Sequence, residues 1–250
     1  MSAPTWLVAR PIAHRGLHDW ANGIAENTLA AAEAAIARGF AIECDVQGTA
    51  DGEAVVFHDH ALDRLTDQRG PVRGRAAAEL TKLAVGGTQD QIQTFERFLD
   101  QIGGRVPVIV EIKNGFDGDL VLARRTAEIA SRHEGPVALK SFDPAVVACL
   151  REVAPRLPRG IVAQGSYDDP EYDALSAGKK QEMANLLHFP QTEPDFISWR
   201  VRDLPSAAPF LCRHLGRLPL MTWTVRGDED RRHALAHADQ IIFEGFRPDV

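Results

Sequence analysis

Two histidines, and charged residues set at the ends of apolar runs, carry the chemical information in this chain. His14 stands in Ile-Ala-His-Arg-Gly and His58 in Val-Val-Phe-His-Asp. Between them Ile42-Glu43-Cys44-Asp45-Val46 reads as a strand. Successive strand residues point to opposite faces, so Glu43 and Asp45 share one. Glu111 and Lys113 share a face in the same way in Val108-Ile109-Val110-Glu111-Ile112-Lys113. Charged groups on apolar strands are costly to bury without partners. A divalent cation with a phosphate ligand satisfies all of them together. Glu43, Asp45 and Glu111 supply hard oxygen ligands, which suit Mg2+ or Ca2+. Arg15 offers phosphate a planar fork of donors and Lys113 a point charge. His14 and His58 are of the type that exchanges protons near neutral pH, one as base and one as acid. The pattern implies a metal-dependent enzyme acting on phosphate esters, with one divalent cation as cofactor.

Each residue also has an ordinary structural explanation. His58-Asp59 fits turn chemistry. Glu43 and Asp45 could form salt bridges, and Glu111 and Lys113 could pair across a strand face. Glu26-Asn27-Thr28 reads as helix capping, and Trp223 as a core aromatic. Joint occurrence at successive strand ends favours the site, because catalytic groups of parallel barrels come from the C-terminal ends of several strands.

The elements that must position these groups are strand-like runs near 8–13, 41–46, 54–57, 107–112, 136–140, 160–163, 195–199, 219–224 and 240–243, with helical patterns between them. Such alternation predicts a parallel sheet wound with helices, and the length suits an eight-fold (β/α)8 barrel. Nine candidates compete for eight places. Thr49-Ala50-Asp51-Gly52 reads as a hairpin turn, which makes 54–57 an antiparallel strand outside the eight and returns His58 toward the end of 41–46. The first helix follows Asn27 as N-cap and stops by Gly39. Residues 59–105 hold no clear barrel strand and combine inserted chain with a second barrel helix at about 94–103. The stretch 165–194 reads as a long loop with a helix near 178–187. The 250 residues are read as one barrel domain with a small insertion after the second strand, at about 47–93.

Composition narrows the classes. Net charge is −7 with no basic block, which argues against nucleic-acid binding. No run approaches the ~20 apolar residues of a membrane span. The start lacks a secretory pattern, which points to the cytoplasm. Cys44, Cys149 and Cys212 are odd in number and widely spaced, as expected of buried thiols in a reducing compartment. Oligomeric state is not legible.

In these residues the chain resembles the glycerophosphodiester phosphodiesterases of the phospholipase-C-like phosphodiesterase superfamily. The resemblance runs through Ala13-His14-Arg15-Gly16, Glu26-Asn27-Thr28, Ile42-Glu43-Cys44-Asp45-Val46, Thr49-Ala50-Asp51-Gly52, Val55-Val56-Phe57-His58-Asp59 and Leu62-Asp63-Arg64-Leu65-Thr66. It continues in Glu111-Ile112-Lys113, Ser141-Phe142-Asp143 and Trp223-Thr224-Val225. It implies the eight-fold barrel and hydrolysis of a small-molecule glycerophosphodiester to glycerol 3-phosphate and an alcohol. It implies His14 and His58 as the acid–base pair, and Glu43, Asp45 and Glu111 as metal ligands. Arg15 and Lys113 match the family's phosphate-contacting cations, and Trp223 its glycerol-pocket tryptophan. The chain departs from the family pattern at Ala25, in the loop 17–24, at Arg226 in place of asparagine, and at Glu244 in place of aspartate.

Two further readings use the same residues. A wide apolar mouth around Trp20 and Trp223 would favour lysophospholipid, whereas a narrow polar one would favour a soluble headgroup such as that of glycerophosphoinositol. A silent phosphate-ester binding module would retain the barrel but has little need of two proton carriers.

Overall fold

A computed structural model describes residues 3–249. The strands are β1 (Ile12–Ala13), β2 (Ala41–Gly48), β3 (Ala54–Val56), β4 (Gln93–Thr94), β5 (Val108–Ile112), β6 (Val137–Ser141), β7 (Arg159–Ala163), β8 (Phe196–Arg200), β9 (Leu220–Val225) and β10 (Gln240–Phe243). Eight of them are parallel neighbours in the order β1-β2-β5-β6-β7-β8-β9-β10, and β10 pairs back on β1 to close the barrel. β3 runs antiparallel to β2, with Val46 opposite Val56, and β4 pairs with β3 outside the barrel. The turn 49–52 does close the hairpin, with Thr49 N–H donating to Glu53 O and Gly52 N–H to Thr49 O.

Strand alternation sorts the side chains. Ile42, Cys44 and Val46 of β2 and Val108, Val110 and Ile112 of β5 point outward, into a core shared with Phe95, Phe98 and Leu99 of the helix Phe95–Ile102. The inward positions change character along the barrel axis. At the N-terminal end, Ile12, Ala41, Ile109, Ala138, Phe196, Met221 and Ile242 form a dry plug. Two residues further along the strands the inward positions are Glu43, Glu111 and Lys140, with Asp45 two beyond Glu43, all under 7% exposed. The apolar plug holds the strands, and the polar layer above it faces the loops.

Several boundaries differ from the sequence reading. The first strand is Ile12–Ala13 rather than 8–13, because Pro11 has no N–H to give to a ladder and Thr5–Val8 coils into a 3-10 turn that buries Leu7. The N-cap of the helix Leu29–Ile36 is Thr28, not Asn27: the Thr28 hydroxyl accepts from Ala31 N–H at 3.3 Å. The long loop carries the helix Ala177–Ala184, capped by Ser176, and a second short helix, Phe189–Thr192. β4 precedes the second barrel helix and has no signal beyond two residues of sequence. Among the described residues no helix is long and apolar enough to cross a membrane.

Candidate active site

His14 and Arg15 follow β1 directly, at the C-terminal rim of the barrel. His14 N–H continues the ladder onto Phe243 O at 2.9 Å. Arg15 then takes a left-handed backbone conformation, φ 57°, which turns its N–H onto Glu43 Oε2 at 3.1 Å. Gly16 completes the turn at φ 77° against the next helix, where a Cβ would stand 2.8 Å from Ala31 Cβ. The His-Arg-Gly sequence is thus a tight corner that only glycine can close.

His58 lies two residues past β3, and the β2–β3 pairing delivers it to the same rim: Phe57 N–H donates to Asp45 O at 3.0 Å. The side-chain amide of Gln47 secures the corner, its Nε2 donating to His58 O at 2.9 Å. His14, Arg15, Asp45, His58, Glu111, Lys113 and Trp223 all line one cavity of about 700 Å³, and Glu43 lies beneath them, 1% exposed.

The three acids converge. Carboxylate oxygens of Glu43, Asp45 and Glu111 lie within 4.8 Å of one another, all buried. Register explains it, since Asp45 stands opposite Glu111 in the β2–β5 ladder. Lys113 Nζ reaches Asp45 Oδ1 at 2.8 Å and Glu111 Oε1 at 2.5 Å. Burial opposes the Asp45 charge, yet Lys113, with His58, Arg15 and His14, holds its carboxyl well below the usual range. Burial opposes Glu111 as well, and Lys113 and Lys140 bring it to about 2. Asp45 and Glu111 therefore present ionised oxygens. Lys140 Nζ lies 3.0 Å from Glu43 Oε1, but off the direction of a hydrogen bond, and that oxygen accepts none. Three buried, convergent carboxylates with an unfilled lone-pair position suit a hard divalent cation.

The histidines are held alike. His14 Nδ1 is 2.5 Å from Glu244 Oε2, and His58 Nδ1 is 2.6 Å from Asp59 Oδ1. Each carboxylate is braced by an arginine: Arg226 Nε donates to Glu244 Oε1 at 2.6 Å, and Arg64 Nε to Asp59 Oδ2 at 2.7 Å. Burial raises both acids, but the bonds from the imidazoles and the arginines outweigh it and keep both below the ordinary carboxylate range. An ionised carboxylate only accepts, so each Nδ1 carries the proton and each Nε2 is left for other chemistry. Glu26 ties the two corners together. It accepts from Arg15 Nη1 at 2.6 Å and from Arg64 Nη2 at 2.8 Å.

Several of these residues escaped the sequence reading. Asn27 is no cap: at φ 57° it clamps Asp45, its Nδ2 donating to Asp45 Oδ2 at 2.9 Å and its Oδ1 accepting from Asp45 N–H at 3.1 Å. Gln47 follows the inward alternation of Glu43 and Asp45, and Lys140 faces inward beside Glu111, so strand periodicity was the available signal. Trp223 donates from Nε1 to Ser198 O at 3.1 Å and meets Phe142 edge-on at a 5.4 Å centroid distance. Phe142 in turn neighbours Tyr172, an aromatic wall that the long loop supplies. Trp20 is not at this mouth. It borders a separate cleft with His18, Phe246 and Arg247. The mouth of the main cavity is charged instead, with Arg200, Arg202, Arg226, Asp169 and Glu171.

Known proteins resemble this chain in sequence and in fold. The model of the Glycerophosphoryl diester phosphodiesterase family matches residues 14–245. A glycerophosphodiester phosphodiesterase of Caldanaerobacter subterraneus subsp. tengcongensis is 33% identical over 178 residues, covering 66% of this chain and 70% of the relative. The fold is that of an Oleispira antarctica phosphodiesterase solved in complex with the product sn-glycerol-3-phosphate, with a TM-score of 0.76 at 20% identity over 95% of this chain and 93% of that one. It is also that of a Thermotoga maritima glycerophosphodiester phosphodiesterase, with a TM-score of 0.69 at 22% identity over 93% and 92% of the two chains. With a barrel whose rim gathers these histidines and acids, and a family match from the first histidine to beyond Glu244, the chain belongs to the glycerophosphoryl diester phosphodiesterase family and is an enzyme that hydrolyses glycerophosphodiesters.

Proposed function

We propose that the hydrolysis depends on one divalent cation, Mg2+ or Ca2+, held by Glu43, Asp45 and Glu111, and on proton transfer by His14 and His58. The observation that carries this reading is the paired arrangement of the two imidazoles, each with Nδ1 on a carboxylate and each lining the cavity that the three acids floor. A bound cation there supplies neutralisation for the charge that phosphate oxygens develop. Arg15 and Lys113 bind the phosphate from the cavity wall. One imidazole Nε2 takes a proton from the attacking water as its oxygen joins phosphorus, while the other imidazole, protonated at Nε2 as well, gives that proton to the alcohol oxygen as its bond to phosphorus breaks, leaving glycerol 3-phosphate. Trp223 and Phe142 give the carbon backbone of the glycerol an apolar face.

The charged mouth, with Trp20 turned away from it, supports a soluble headgroup over an acyl chain as the released alcohol. The test is release of glycerol 3-phosphate from glycerophosphocholine, glycerophosphoethanolamine and glycerophosphoinositol, set against lysophospholipid. Turnover should stop with EDTA and return with Mg2+ or Ca2+. His14→Ala and His58→Ala should each lower kcat by about 10²–10⁴-fold. Turnover indifferent to chelation would overturn the metal assignment, and full activity in either alanine variant would overturn the acid–base one.

A further inference from the structure

Lys140 has no part in the chemistry above, yet it is among the most enclosed charged residues of the site. It stands on β6 opposite Glu111, 2% exposed, with its stem inside the barrel. Its Nζ lies 3.0 Å from Glu43 Oε1 and 3.1 Å from Glu111 Oε2. Three carboxylates in this cluster thus face three cations, Arg15, Lys113 and Lys140. Arg15 and Lys113 reach the cavity with side chains 17% and 15% exposed, so they can swing to a phosphate. Lys140 lies at the floor of the same cavity but is only 2% exposed, held between Glu43 and Glu111 above the plug of Ile109, Ala138 and Phe196.

We infer that Lys140 is a positioning residue and a permanent counter-charge: it holds Glu43 and Glu111 in their ligand array and offsets part of their charge, so the site takes a divalent cation weakly alone and tightly only together with a phosphate anion. The inference rests on the metal reading above. The physical reason is charge balance. Lys113 and Lys140 offset two of the three carboxylate charges, with Arg15 shared with Glu26, so a dication turns the cluster net positive until an anionic phosphate arrives. Coupling of this kind is reciprocal, so the cation and the phosphate strengthen one another by the same factor.

The test is calorimetric titration of Mg2+ and of Ca2+ into the full chain, with and without glycerol 3-phosphate, for the wild type and Lys140→Gln. Glutamine keeps donors for the acids and removes the charge. Lys140→Gln should bind the cation alone at least about tenfold more tightly, and glycerol 3-phosphate should then strengthen binding by a smaller factor than in the wild type. Lys140→Arg, which keeps the charge, should retain wild-type behaviour. Should Lys140→Gln need metal to fold, its melting temperature against metal concentration reads the same affinity, and a melting temperature indifferent to metal overturns the inference. Equal or weaker cation binding in Lys140→Gln overturns it too, while leaving the metal reading standing. A wild-type chain that takes up no divalent cation in either condition would sink both.

Discussion

Glu244 bridges His14 and Arg226: one carboxylate oxygen is 2.5 Å from His14 Nδ1, and the other accepts a 2.6 Å bond from Arg226 Nε. Arg226 and Glu244 thus meet as one ion pair on the same imidazole. Glu244→Gln replaces an acceptor-only group with one that can donate to Nδ1, which releases the tautomer. We expect kcat to fall by about 100-fold or more. Arg226→Gln, which leaves the carboxylate in place, should cost less. Steady-state kinetics on glycerophosphoethanolamine reads both, and wild-type kcat in Glu244→Gln would show that His14 is oriented by other means.

Asn27 is predicted to act on Asp45 through two hydrogen bonds. Asn27→Ala removes both and places alanine at φ 57°, a left-handed conformation that asparagine tolerates better than alanine. Divalent-cation affinity should drop by about 10–100-fold, as for other groups that orient metal ligands. Asn27→Gly separates the causes, since glycine tolerates the backbone but cannot clamp the carboxylate. Titration calorimetry that finds full affinity in Asn27→Gly would reduce Asn27 to a backbone role.

What was legible in the sequence followed strand periodicity. Glu43, Asp45, Glu111 and Lys113 could be placed on common faces because alternation is local, and the hairpin that returns His58 announced itself in Asp51-Gly52. Lys140 obeys the same alternation, but a single lysine in Val137-Ala-Leu-Lys-Ser reads as a solvated face until the barrel shows that its neighbour is Glu111. Asn27 was hidden by its neighbour. Glu26-Asn27-Thr28 satisfies a capping pattern, and only the fold reveals that Thr28 alone caps while Asn27 reaches ahead 18 positions to Asp45. Glu244 could be matched to a family position, but its bond to Arg226 joins the ends of β9 and β10, which no local pattern relates.

Trp20 and Gly86 lock the loop 17–24 onto the chain between β3 and β4. Gly86 has φ 60°, and a Cβ there would stand 2.3 Å from Trp20 Cζ3. Gly86→Ala should destabilise the protein by about 1–3 kcal/mol, part from the left-handed backbone and part from displacement of the indole. In a Trp20→Ala background the second part disappears, and the same substitution should cost only about 1 kcal/mol. Urea unfolding of the four proteins measures the difference; equal costs in both backgrounds would mean that the indole moves aside freely.

His188 should make stability fall in mild acid. It is 2% exposed, its Nε2 has no partner, and its Nδ1 lies 3.3 Å from the Thr192 hydroxyl. Burial pushes its pKa down from 6.5 to about 4. The unfolded chain therefore binds a proton between those values that the folded chain refuses, so unfolding is favoured as pH drops. The stability is fully present above about 6.5 and is lost as pH falls through about 4, by an amount on the order of 3 kcal/mol. His60 and His133 are lowered by burial too and act with the same sign. His188→Phe keeps a ring in the site and removes the proton. Urea unfolding at pH 7.5 and 4.5 should show a clearly smaller acid loss in His188→Phe than in the wild type. An undiminished loss would place the acid sensitivity on the other two histidines and the carboxylates.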